Sequence, residues 1–325
     1  MIKSVPENNQ NIIDWLLSSK KDISDSEINN IDQWQTLIKP VISPSTSSID
    51  RAIIGGFLAD RMAYAFLSGY ENALQKHFTI LPDQSLAAFC VSEKGGSRPK
   101  AMKTTLTLNR DVETYTLNGQ KSFVTCADEA QYLIIAATLT EQEQNKADIE
   151  GTTRPNIKLA LIEANASGLT VTNSKELPFI PEIRKGSLVL ENVKVRAENI
   201  LPGDGYTNYV KPFSCVEGVY IMAATSAFLF RLACLFDWPS SLQEQILSTL
   251  LMVKQLDEGD MSSPATEIMV SGAKAQLKQI TETSKPLWSK LPEQHHQRLL
   301  RDGGMLLMSD KNHLTRLERA WAHYA

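Results

Sequence analysis

The sequence predicts an α+β multi-domain fold, with an N-terminal helical domain, a central antiparallel β-barrel or sheet domain, and a C-terminal helical bundle. Apolar residues recur at helical spacing up to about Phe78 and again from Tyr206, whereas between Leu86 and Val195 apolar and polar residues alternate with a period of two. Several short strands without intervening helices favour an antiparallel arrangement. The predicted domains are residues 1–84, 85–204 and 205–325.

The N-terminal block is predicted to contain three helices. Ser24 can cap the second, with Glu27 three residues later completing a capping box. The Pro40–Pro44 stretch ends that helix, and a longer third helix begins at about Ser48. Gly55-Gly56 lies inside the third helix and weakens it, since glycine costs roughly 1 kcal/mol against alanine. Such a pair is tolerated where a ligand or another backbone comes close, and close helix packing is the simpler interpretation.

The central block is predicted to contain a hairpin followed by further short strands. Thr105–Leu108 and Thr114–Leu117 alternate as half-buried strands do. Asn118-Gly119 predicts a tight hairpin turn, because both residues accept positive φ. The polar stretch Glu141–Pro155 is predicted to be a loop. The further predicted strands are Ser122–Thr125, Tyr132–Ala137, Ile157–Ile162, Leu169–Thr172 and Leu188–Val195.

The C-terminal block returns to helical spacing. Val219–Phe236 is its most apolar stretch, but Arg231 interrupts it and it is short for a bilayer, so a buried core helix is expected and no membrane span. Ser263-Pro264 provides an N-cap followed by a first-turn proline. Gly303-Gly304 can break the last helical stretch. The other predicted helices are Leu242–Leu256, Pro264–Thr283 and His295–Ala322.

The composition is that of a soluble globular protein, with 42% apolar and 22% charged residues. The 37 acidic and 33 basic residues leave a formal charge of −4, which gives no electrostatic reason to expect nucleic acid or an anionic membrane as a partner. The polar start MIKSVPENNQ lacks the apolar core of a signal peptide, so a cytoplasmic protein is expected. The cysteines show neither CxxC nor Cys/His ligand spacing, so we expect reduced thiols, without a disulfide framework or a metal site.

Four motifs occur in order within the central block. Residues 88–97 read AFCVSEKGGS, residues 115–125 YTLNGQKSFVT, residues 161–168 LIEANASG, and residues 188–205 LVLENVKVRAENILPGDG. They resemble the acyl-CoA dehydrogenase motifs CxTEPGAGSD, yxLNGxKxxITNaxxA, flVexxxxG and FedVxVPxxNvLGxxgxG. The order of helical, strand-rich and helical blocks resembles that family as well. The resemblance covers about residues 50–235 and implies the acyl-CoA dehydrogenase fold.

The resemblance implies FAD as the cofactor, with the segment Cys90–Thr125 on the ring side of the flavin. It implies that Ser92 donates to the pyrimidine edge, that Phe123 packs beside the isoalloxazine ring and that Thr125 meets flavin N5. Ser97 would lie near the phosphates. The residues thus predicted to bind FAD are Phe89, Val91, Ser92, Ser97, Phe123 and Thr125, and those predicted to bind substrate are Ser97 and Arg184.

Each of these features also has a simpler structural interpretation. Gly95-Gly96-Ser97 forms a turn whose backbone N–H groups can bind a phosphate oxygen, yet most such turns are only turns. A Phe-x-Thr sequence in a strand is more often core packing than a cofactor contact. Residues 177–185, LPFIPEIRK, carry Arg184 and Lys185 near the expected CoA mouth, where a solvated surface turn is an equal alternative.

The resemblance also implies a catalytic carboxylate, which removes the α-proton of an acyl thioester while flavin N5 accepts the β-hydride. Most members carry this base near a YEGT-like sequence, which the chain lacks. Isovaleryl- and long-chain-type enzymes carry it on the first helix after the β-domain, where Glu217 stands, so Glu217 is the predicted base. Those relatives follow the glutamate with arginine, whereas Gly218 follows it here. The structural alternative is a first-turn glutamate stabilised by the helix dipole.

Three functions remain open at this stage. The first is a flavin-dependent acyl-CoA dehydrogenase-like oxidoreductase acting on an acyl-CoA or acyl-carrier thioester, with electron-transfer flavoprotein as electron acceptor and a homodimer as the assembly. The second is a non-catalytic ligand-binding or partner subunit, which is favoured because the sequence lacks the family's RxxFG and QxxGGxG segments. The third is oxygen or nitro-compound chemistry on the same fold, using another catalytic residue.

Overall fold

The computed structural model describes residues 11–42, 46–109, 113–140, 155–173, 176–307 and 311–325. The chain forms two compact units. The helical unit comprises Met1–Lys76, Pro178–Glu182 and Ser214–Ala325, and the β unit comprises His77–Leu177 and Ile183–Phe213. The predicted α+β class, with helices, a central sheet and then helices, is confirmed. The boundaries of the three sequence domains stay a prediction.

The α-helices flank the strand-rich block in the sequence. Their bounds are α1 Ile12–Ser19, α2 Ile31–Ile38, α3 Ser48–Leu58, α4 Met62–His77, α5 Lys211–Leu235, α6 Ser240–Leu256, α7 Pro264–Trp288, α8 Glu293–Asp302 and α9 Lys311–Ala322. A π-helical turn, Tyr206–Val210, leads into α5, and the short 3₁₀ helices are Lys39–Val41, Pro99–Ala101, Ala197–Asn199 and Gly303–Leu307.

The cap of α2 differs from the predicted one. Its N-cap is Asn30, whose side chain accepts a backbone N–H of the first turn at 2.8 Å. Asparagine caps a helix as well as serine does, so Ser24 is not needed for this role. Glu27 pairs instead with Arg61 at 3.2 Å and with Arg298 at 2.6 Å. The predicted capping box of Ser24 and Glu27 is therefore wrong.

The single long helix predicted from Ser48 is two helices, α3 and α4. They are separated at Asp60, whose carboxylate accepts the backbone N–H of Ile28 at 3.1 Å and pairs with Arg61 at 2.7 Å. Both charged side chains are buried, and a buried carboxylate is stable only when it is paired and hydrogen-bonded. Gly55-Gly56, where weakening was predicted, stays helical.

Gly56 lies where α3 approaches α5. A Cβ atom at Gly56 would overlap the backbone carbonyl of Ala224, so close helix packing accounts for this glycine. We expect Gly56→Ala to lower the free energy of unfolding by about 2–3 kcal/mol, because the two backbones must separate. Gly272→Ala in α7 is the matched control, since its Cβ would meet nothing within 4 Å. In urea unfolding the control should be unchanged or up to about 1 kcal/mol more stable, and equal losses in the two variants would contradict the packing argument.

Helix α5 is a core element. With the π-helical turn it spans Tyr206–Leu235, a length and composition sufficient to cross a membrane, but 78% of its most apolar window is buried inside the protein. Arg231 within it donates to the backbone carbonyls of Ser24 at 2.6 Å and Phe57 at 3.4 Å, which satisfies its buried guanidinium. The core helix predicted at Val219–Phe236 is present and begins two turns earlier, at Lys211.

The C-terminal helices follow the predicted caps. Ser263 caps α7, because its hydroxyl accepts the N–H of Thr266 at 3.2 Å, and the helix continues past the predicted end at Thr283 to Trp288. The predicted break at Gly303-Gly304 is confirmed, since α8 ends at Asp302 and a 3₁₀ helix follows.

The β unit contains a curled sheet whose described strands are β1 Ala87–Cys90, β2 Thr105–Asn109, β3 Thr114–Thr125, β4 Tyr132–Leu139, β5 Ile157–Glu163, β6 Leu169–Asn173 and β7 Lys185–Arg196. Their order is β1-β4-β2-β3-β7-β6, with β5 on β4. The sheet is mixed: the predicted antiparallel pairing is found between β2 and β3, β3 and β7, β4 and β5, and β6 and β7, whereas β1 and β2 both pair with β4 in parallel. Both strands run in the same direction as β4 and pair with successive parts of it: β1 pairs with Tyr132–Ile135, and β2 pairs with Thr138–Leu139.

The hairpin predicted at Asn118-Gly119 is also wrong, because both residues lie inside β3. Gly119 has φ +148° and sits at a register shift between β3 and β7, which is a β-bulge. A Cβ at Gly119 would lie 2.6 Å from the Cα of Thr104. The Asn-Gly pair therefore serves a bulge and a close backbone approach, and the predicted strand Ser122–Thr125 is the end of β3.

Candidate functional site

Two backbone contacts bring the end of β1 to the second bulge of β3. The N–H of Ser122 donates to the carbonyl of Ser92 at 2.9 Å, and the Lys121 ammonium donates to the carbonyl of Val91 at 3.3 Å. The register of β3 against β7 shifts again between Lys121 and Val124, which places Phe123 in the bulge. We call Val91, Ser92, Ser122 and Phe123 the β1–β3 junction, and it unites three of the predicted flavin-binding residues.

A buried ion pair lies directly beneath the junction. The Lys121 ammonium contacts a carboxylate oxygen of Glu93 at 2.7 Å, and the Lys121 side chain is 0% exposed. The same carboxylate accepts the backbone N–H groups of Lys103 and Thr104 at 2.7 and 3.1 Å and the Thr104 hydroxyl at 2.8 Å. The pair thus ties the loop after β1 to both β3 and the start of β2.

The electrostatics of this pair follow from its burial and its hydrogen bonds. Burial raises the pKa of Glu93, but hydrogen bonds from Lys121 and Lys103 and the charge of Lys121 outweigh it, so the pKa lies below its ordinary value. Burial lowers the pKa of Lys121, against the opposing effect of Glu93. The first shift favours the ion pair and the second opposes it. The four donors around the carboxylate decide for an ion pair at neutral pH.

Phe123 combines two unfavourable features. The residue is 68% exposed, and its backbone is left-handed, with φ +58°. A bulky residue in this conformation costs of order 1 kcal/mol or more, and exposing the ring forfeits its burial. The bulge directs an aromatic ring outward at the position where the resemblance predicts a flavin, so the residues present fit the ring side of that cofactor.

Thr125 and Arg184 lie at the end of β3. Thr125 is 8% exposed and pairs with Lys185 on β7. The N–H of Cys126 donates to the carbonyl of Arg184 at 2.9 Å, so the structure brings the backbone of Arg184 next to this strand end. The Arg184 side chain is half exposed, and its guanidinium lies 3.8 Å from the carboxylate of Glu129. A contact at this distance on the surface is weak, so the guanidinium can rearrange to meet an anion.

In the turn before Ser97, one of the backbone N–H groups predicted to bind phosphate is already hydrogen-bonded within the turn. The N–H of Gly96 donates to the carbonyl of Glu93 at 2.8 Å, and the N–H of Glu93 donates back to Gly96 at 3.1 Å. The Gly96 N–H is therefore used within the turn and is not among the donors that the turn offers to a phosphate. Gly96 has φ +108° and Ser97 is exposed, so the hydroxyl of Ser97 is accessible.

Phe89 belongs to an aromatic cluster of the β unit. Its ring centroid lies 4.9 Å from that of Phe78 and 5.1 Å from that of Phe213, both edge-on. The Nε2–H of His77 donates to the carbonyl of Tyr209 at 3.0 Å, and burial lowers the pKa of His77 against the effect of that bond. Phe89 is half-buried, and this packing fixes its ring whether or not a cofactor contacts it.

The predicted base, Glu217, lies in the helical unit on the second turn of α5. Because α5 begins at Lys211 and the π-helical turn precedes it, the alternative of a first-turn glutamate stabilised by the helix dipole is wrong. Glu217 is half-buried and lines a cavity of about 510 Å³. We call this the α5 cavity. Its other lining residues from α4 and α5 are Phe66, Ser214, Gly218, Ile221, Met222 and Thr225.

The α5 cavity is also lined by basic side chains. Lys274, Lys278, His313 and Arg316 line it, with Ser271, Ala275, Leu277, Met305, Leu306 and Leu314. Sequence reasoning misses the two lysines as site residues. Their spacing of four places them on one face of α7, and that spacing is the signal that could have identified them.

Comparison with known proteins finds a family model that matches the strand-rich segment of the chain. Residues 88–193 match the family model of the acyl-CoA dehydrogenase middle domain. The probable short/branched chain specific acyl-CoA dehydrogenase of Dictyostelium discoideum is 25% identical over 134 residues, 41% of this chain and 30% of that protein. The short-chain specific acyl-CoA dehydrogenase of Megasphaera elsdenii is 28% identical over 138 residues, 42% of this chain and 34% of that protein. The matched segment thus spans about a third of the length of these relatives.

Solved structures extend the similarity to nearly the whole chain. Butyryl-CoA dehydrogenase from Megasphaera elsdenii aligns with a TM-score of 0.68 at 16% identity, covering 98% of this chain and 100% of that one. The prolyl acyl carrier protein oxidase AnaB aligns with a TM-score of 0.64 at 16% identity, covering 95% and 97%. At these identities the structures show a shared fold.

Proposed function

We propose that this chain, which belongs to the acyl-CoA dehydrogenase family, is a flavin-dependent oxidoreductase that removes two hydrogens from the Cα–Cβ bond of an acyl thioester. The observation that carries the proposal is Phe123, an exposed aromatic ring held by a left-handed backbone in a bulge. Strain of this kind concentrates at functional sites. Phe123 lies inside the segment that matches the family model and belongs to the same junction as Val91 and Ser92.

In the proposed mechanism the β1–β3 junction binds the flavin ring, and Thr125 and Ser92 offer hydroxyls to its polar edge. When bound, FAD supplies the acceptor for the β-hydride. Glu217 takes the α-proton of the thioester as general base. The apolar side chains around it in the α5 cavity, Phe66 and Ile221 among them, exclude water and hold the acyl chain.

The remaining parts of the proposal concern the ends of the bound molecules. We propose that Ser97 and Arg184 bind phosphates of FAD or of the thioester's carrier. Ser97 is exposed after its turn, and Arg184 is half exposed next to the end of β3. The carrier is CoA or an acyl-carrier protein. An electron-transfer flavoprotein is the proposed electron acceptor, and a homodimer the proposed assembly.

The proposal predicts FAD absorbance that depends on Phe123. Purified protein incubated with FAD and desalted should show the flavin absorbance bands, and Phe123→Asn should retain about five- to tenfold less FAD, because a stacked aromatic contact is worth roughly 1–1.4 kcal/mol. Asparagine tolerates left-handed backbone, so the flavin-free variant should unfold at an unchanged or higher urea concentration. The matched control is Gln84→Asn, another residue with positive φ, at +55°.

The outcomes separate the proposal from its alternatives. Protein that stays colourless after incubation with FAD would contradict the proposed function. FAD retention lost equally in Phe123→Asn and Gln84→Asn would show that the loss comes from the fold rather than from the ring.

A second candidate function is a ligand-binding or partner subunit without catalysis. The observation that favours it is the Gly96 N–H, which is consumed inside its turn and so leaves fewer donors for a cofactor phosphate. This reading predicts that FAD binds weakly or not at all and that Glu217→Gln changes no measurable property.

A further inference from the structure

His77, the last residue of α4, is hydrogen-bonded to the π-helical turn Tyr206–Val210. Its Nε2–H donates to the carbonyl of Tyr209 at 3.0 Å. The spacing of the turn is that of a π-helix, because the N–H of Lys211 donates to the carbonyl of Tyr206, five residues earlier. Turns of this kind are rare and are frequent at functional sites. The bond from His77 therefore supports an uncommon backbone conformation from outside the turn.

The same hydrogen bond fixes one end of a cluster of five rings, all of which belong to the β unit. The imidazole of His77 lies 4.7 Å from the ring of Phe78 and 5.5 Å from the ring of Phe213, measured between centroids. These two phenyl rings contact Phe89 edge-on, at 4.9 and 5.1 Å. Tyr209 completes the cluster by stacking on Phe78 at 5.8 Å. Phe78 and Phe213 thus contact His77 and Phe89 alike.

Phe89 is the member of this cluster that lies next to the candidate flavin site. It is part of β1, two residues before Val91 of the β1–β3 junction. Phe78 and Phe213 are buried, whereas Phe89 is half-buried. Aromatic pairs prefer a defined mutual geometry, so a shift of either buried ring changes the position that Phe89 takes up. The orientation of the Phe89 ring therefore depends on the two rings that His77 contacts.

The protonation state of His77 suits this role. Burial lowers its pKa, against the opposing effect of the Tyr209 carbonyl, so the imidazole is neutral at neutral pH and brings no charge among the rings. Its hydrogen bond selects the tautomer that carries the proton on Nε2.

We infer that His77 is a positioning residue for the flavin: by binding the π-helical turn it holds Phe78 and Phe213 so that Phe89 presents its ring to the isoalloxazine. This inference rests on the proposed function, which places the flavin ring at the β1–β3 junction. Phe89 is one of the residues predicted to bind FAD, and the role given to His77 requires no contact between the imidazole and the cofactor.

The test separates the hydrogen bond of His77 from its ring. His77→Gln keeps a donor, because the amide nitrogen of glutamine is as many bonds from Cβ as Nε2 of the imidazole is. His77→Phe keeps a ring and has no donor. Dissociation constants for FAD are measured by quenching of FAD fluorescence. We expect His77→Gln to bind FAD within about twofold of the wild type and His77→Phe to bind it about three- to tenfold more weakly, the worth of one hydrogen bond.

A double-mutant cycle tests the route through Phe89. Phe89→Leu removes the ring that the flavin would meet and keeps an apolar side chain. When Phe89 transmits the effect, His77→Phe should change the affinity for FAD by less than about twofold in the Phe89→Leu background.

Thr116→Val is the matched control for a lost hydrogen bond elsewhere in the β unit. The Thr116 hydroxyl accepts from the Asn109 amide at 2.8 Å and from the Lys194 ammonium at 2.9 Å, and valine has the same shape without the hydroxyl. We expect this variant to unfold at a lower urea concentration and to bind FAD as tightly as the wild type.

Each outcome decides one question. Wild-type affinity for FAD in His77→Phe overturns the inference and leaves the proposed function standing. Equal weakening in His77→Gln and His77→Phe also overturns it, because the hydrogen bond is then not the cause. The same weakening in Thr116→Val assigns the effect to the stability of the β unit, and an undiminished effect in the Phe89→Leu background excludes the route through Phe89; either result overturns the inference. A wild-type protein that binds no FAD contradicts the proposed function, and the inference fails with it.

Discussion

Glu217→Gln should slow flavin reduction by an acyl thioester by about 100- to 10,000-fold, the range supplied by a positioned general base. Glutamine has the size of glutamate but cannot take the α-proton. The residue is half-buried on the cavity wall, so the substitution leaves the packing intact. FAD retention and the urea midpoint should therefore be those of the wild type. The measurement is stopped-flow bleaching of the flavin band after mixing with thioester.

Two further variants make this result specific. Glu244→Gln, on the exposed face of α6, should leave the rate unchanged. Asp310 lies outside the described residues, but in the sequence it falls between Leu306 and His313, which line the cavity. It is therefore the second carboxylate to substitute when testing which residue is the base. If Asp310→Asn abolishes bleaching while Glu217→Gln does not, the base is not Glu217.

Element order and fold class could be predicted from the sequence, because each depends on local periodicity. The core helix α5 and the cap at Ser263 are local signals, and both are found. The parallel pairing of β1 and β2 with β4 could not be predicted, since it depends on which strands meet across long stretches of chain. For the same reason the Asn118-Gly119 signal misleads: positive φ suits a bulge as well as a turn.

The candidate site divides in the same way. Phe123 was identifiable because its motif is local, but its exposure and its left-handed backbone depend on the register of β3 against β7. The charged character of the α5 cavity depends on α5, α7 and α9 together. Glu217 and Lys274 lie on different helices, far apart in the sequence, so only the tertiary fold shows that they line the same cavity.

The second large effect is expected at the ion pair beneath the β1–β3 junction. Lys121→Met should lower the free energy of unfolding by about 3–5 kcal/mol, the cost of leaving one partner of a buried pair without the other. Glu93 would keep its bonds from Lys103 and Thr104, which places the loss towards the lower end of that range. FAD retention should fall as well, because the loop carrying Val91 and Ser92 loses the Lys121 contacts to Val91 and Glu93 and keeps the backbone bond between Ser122 and Ser92. Urea unfolding and desalted absorbance measure the two effects.

The matched control is the double variant Glu93→Gln with Lys121→Met, which removes both charges. It should recover part of the stability lost in Lys121→Met, since no uncompensated charge stays buried. If the double variant is as unstable as the sum of the two single variants, the residues do not act as a pair.

The pH dependence gives an independent check of the same pair. The folded pKa of Glu93 lies below its ordinary 4.5, so the unfolded state binds more protons as the pH falls through that range. The stabilisation is therefore fully present above about pH 4.5 and is lost as the pH drops through the folded pKa. Glu93→Gln should be less stable than the wild type at neutral pH, and the difference should shrink steadily in acid. A difference that stays constant from pH 7 to well below pH 4.5 would assign the loss to packing and not to the charge of Glu93.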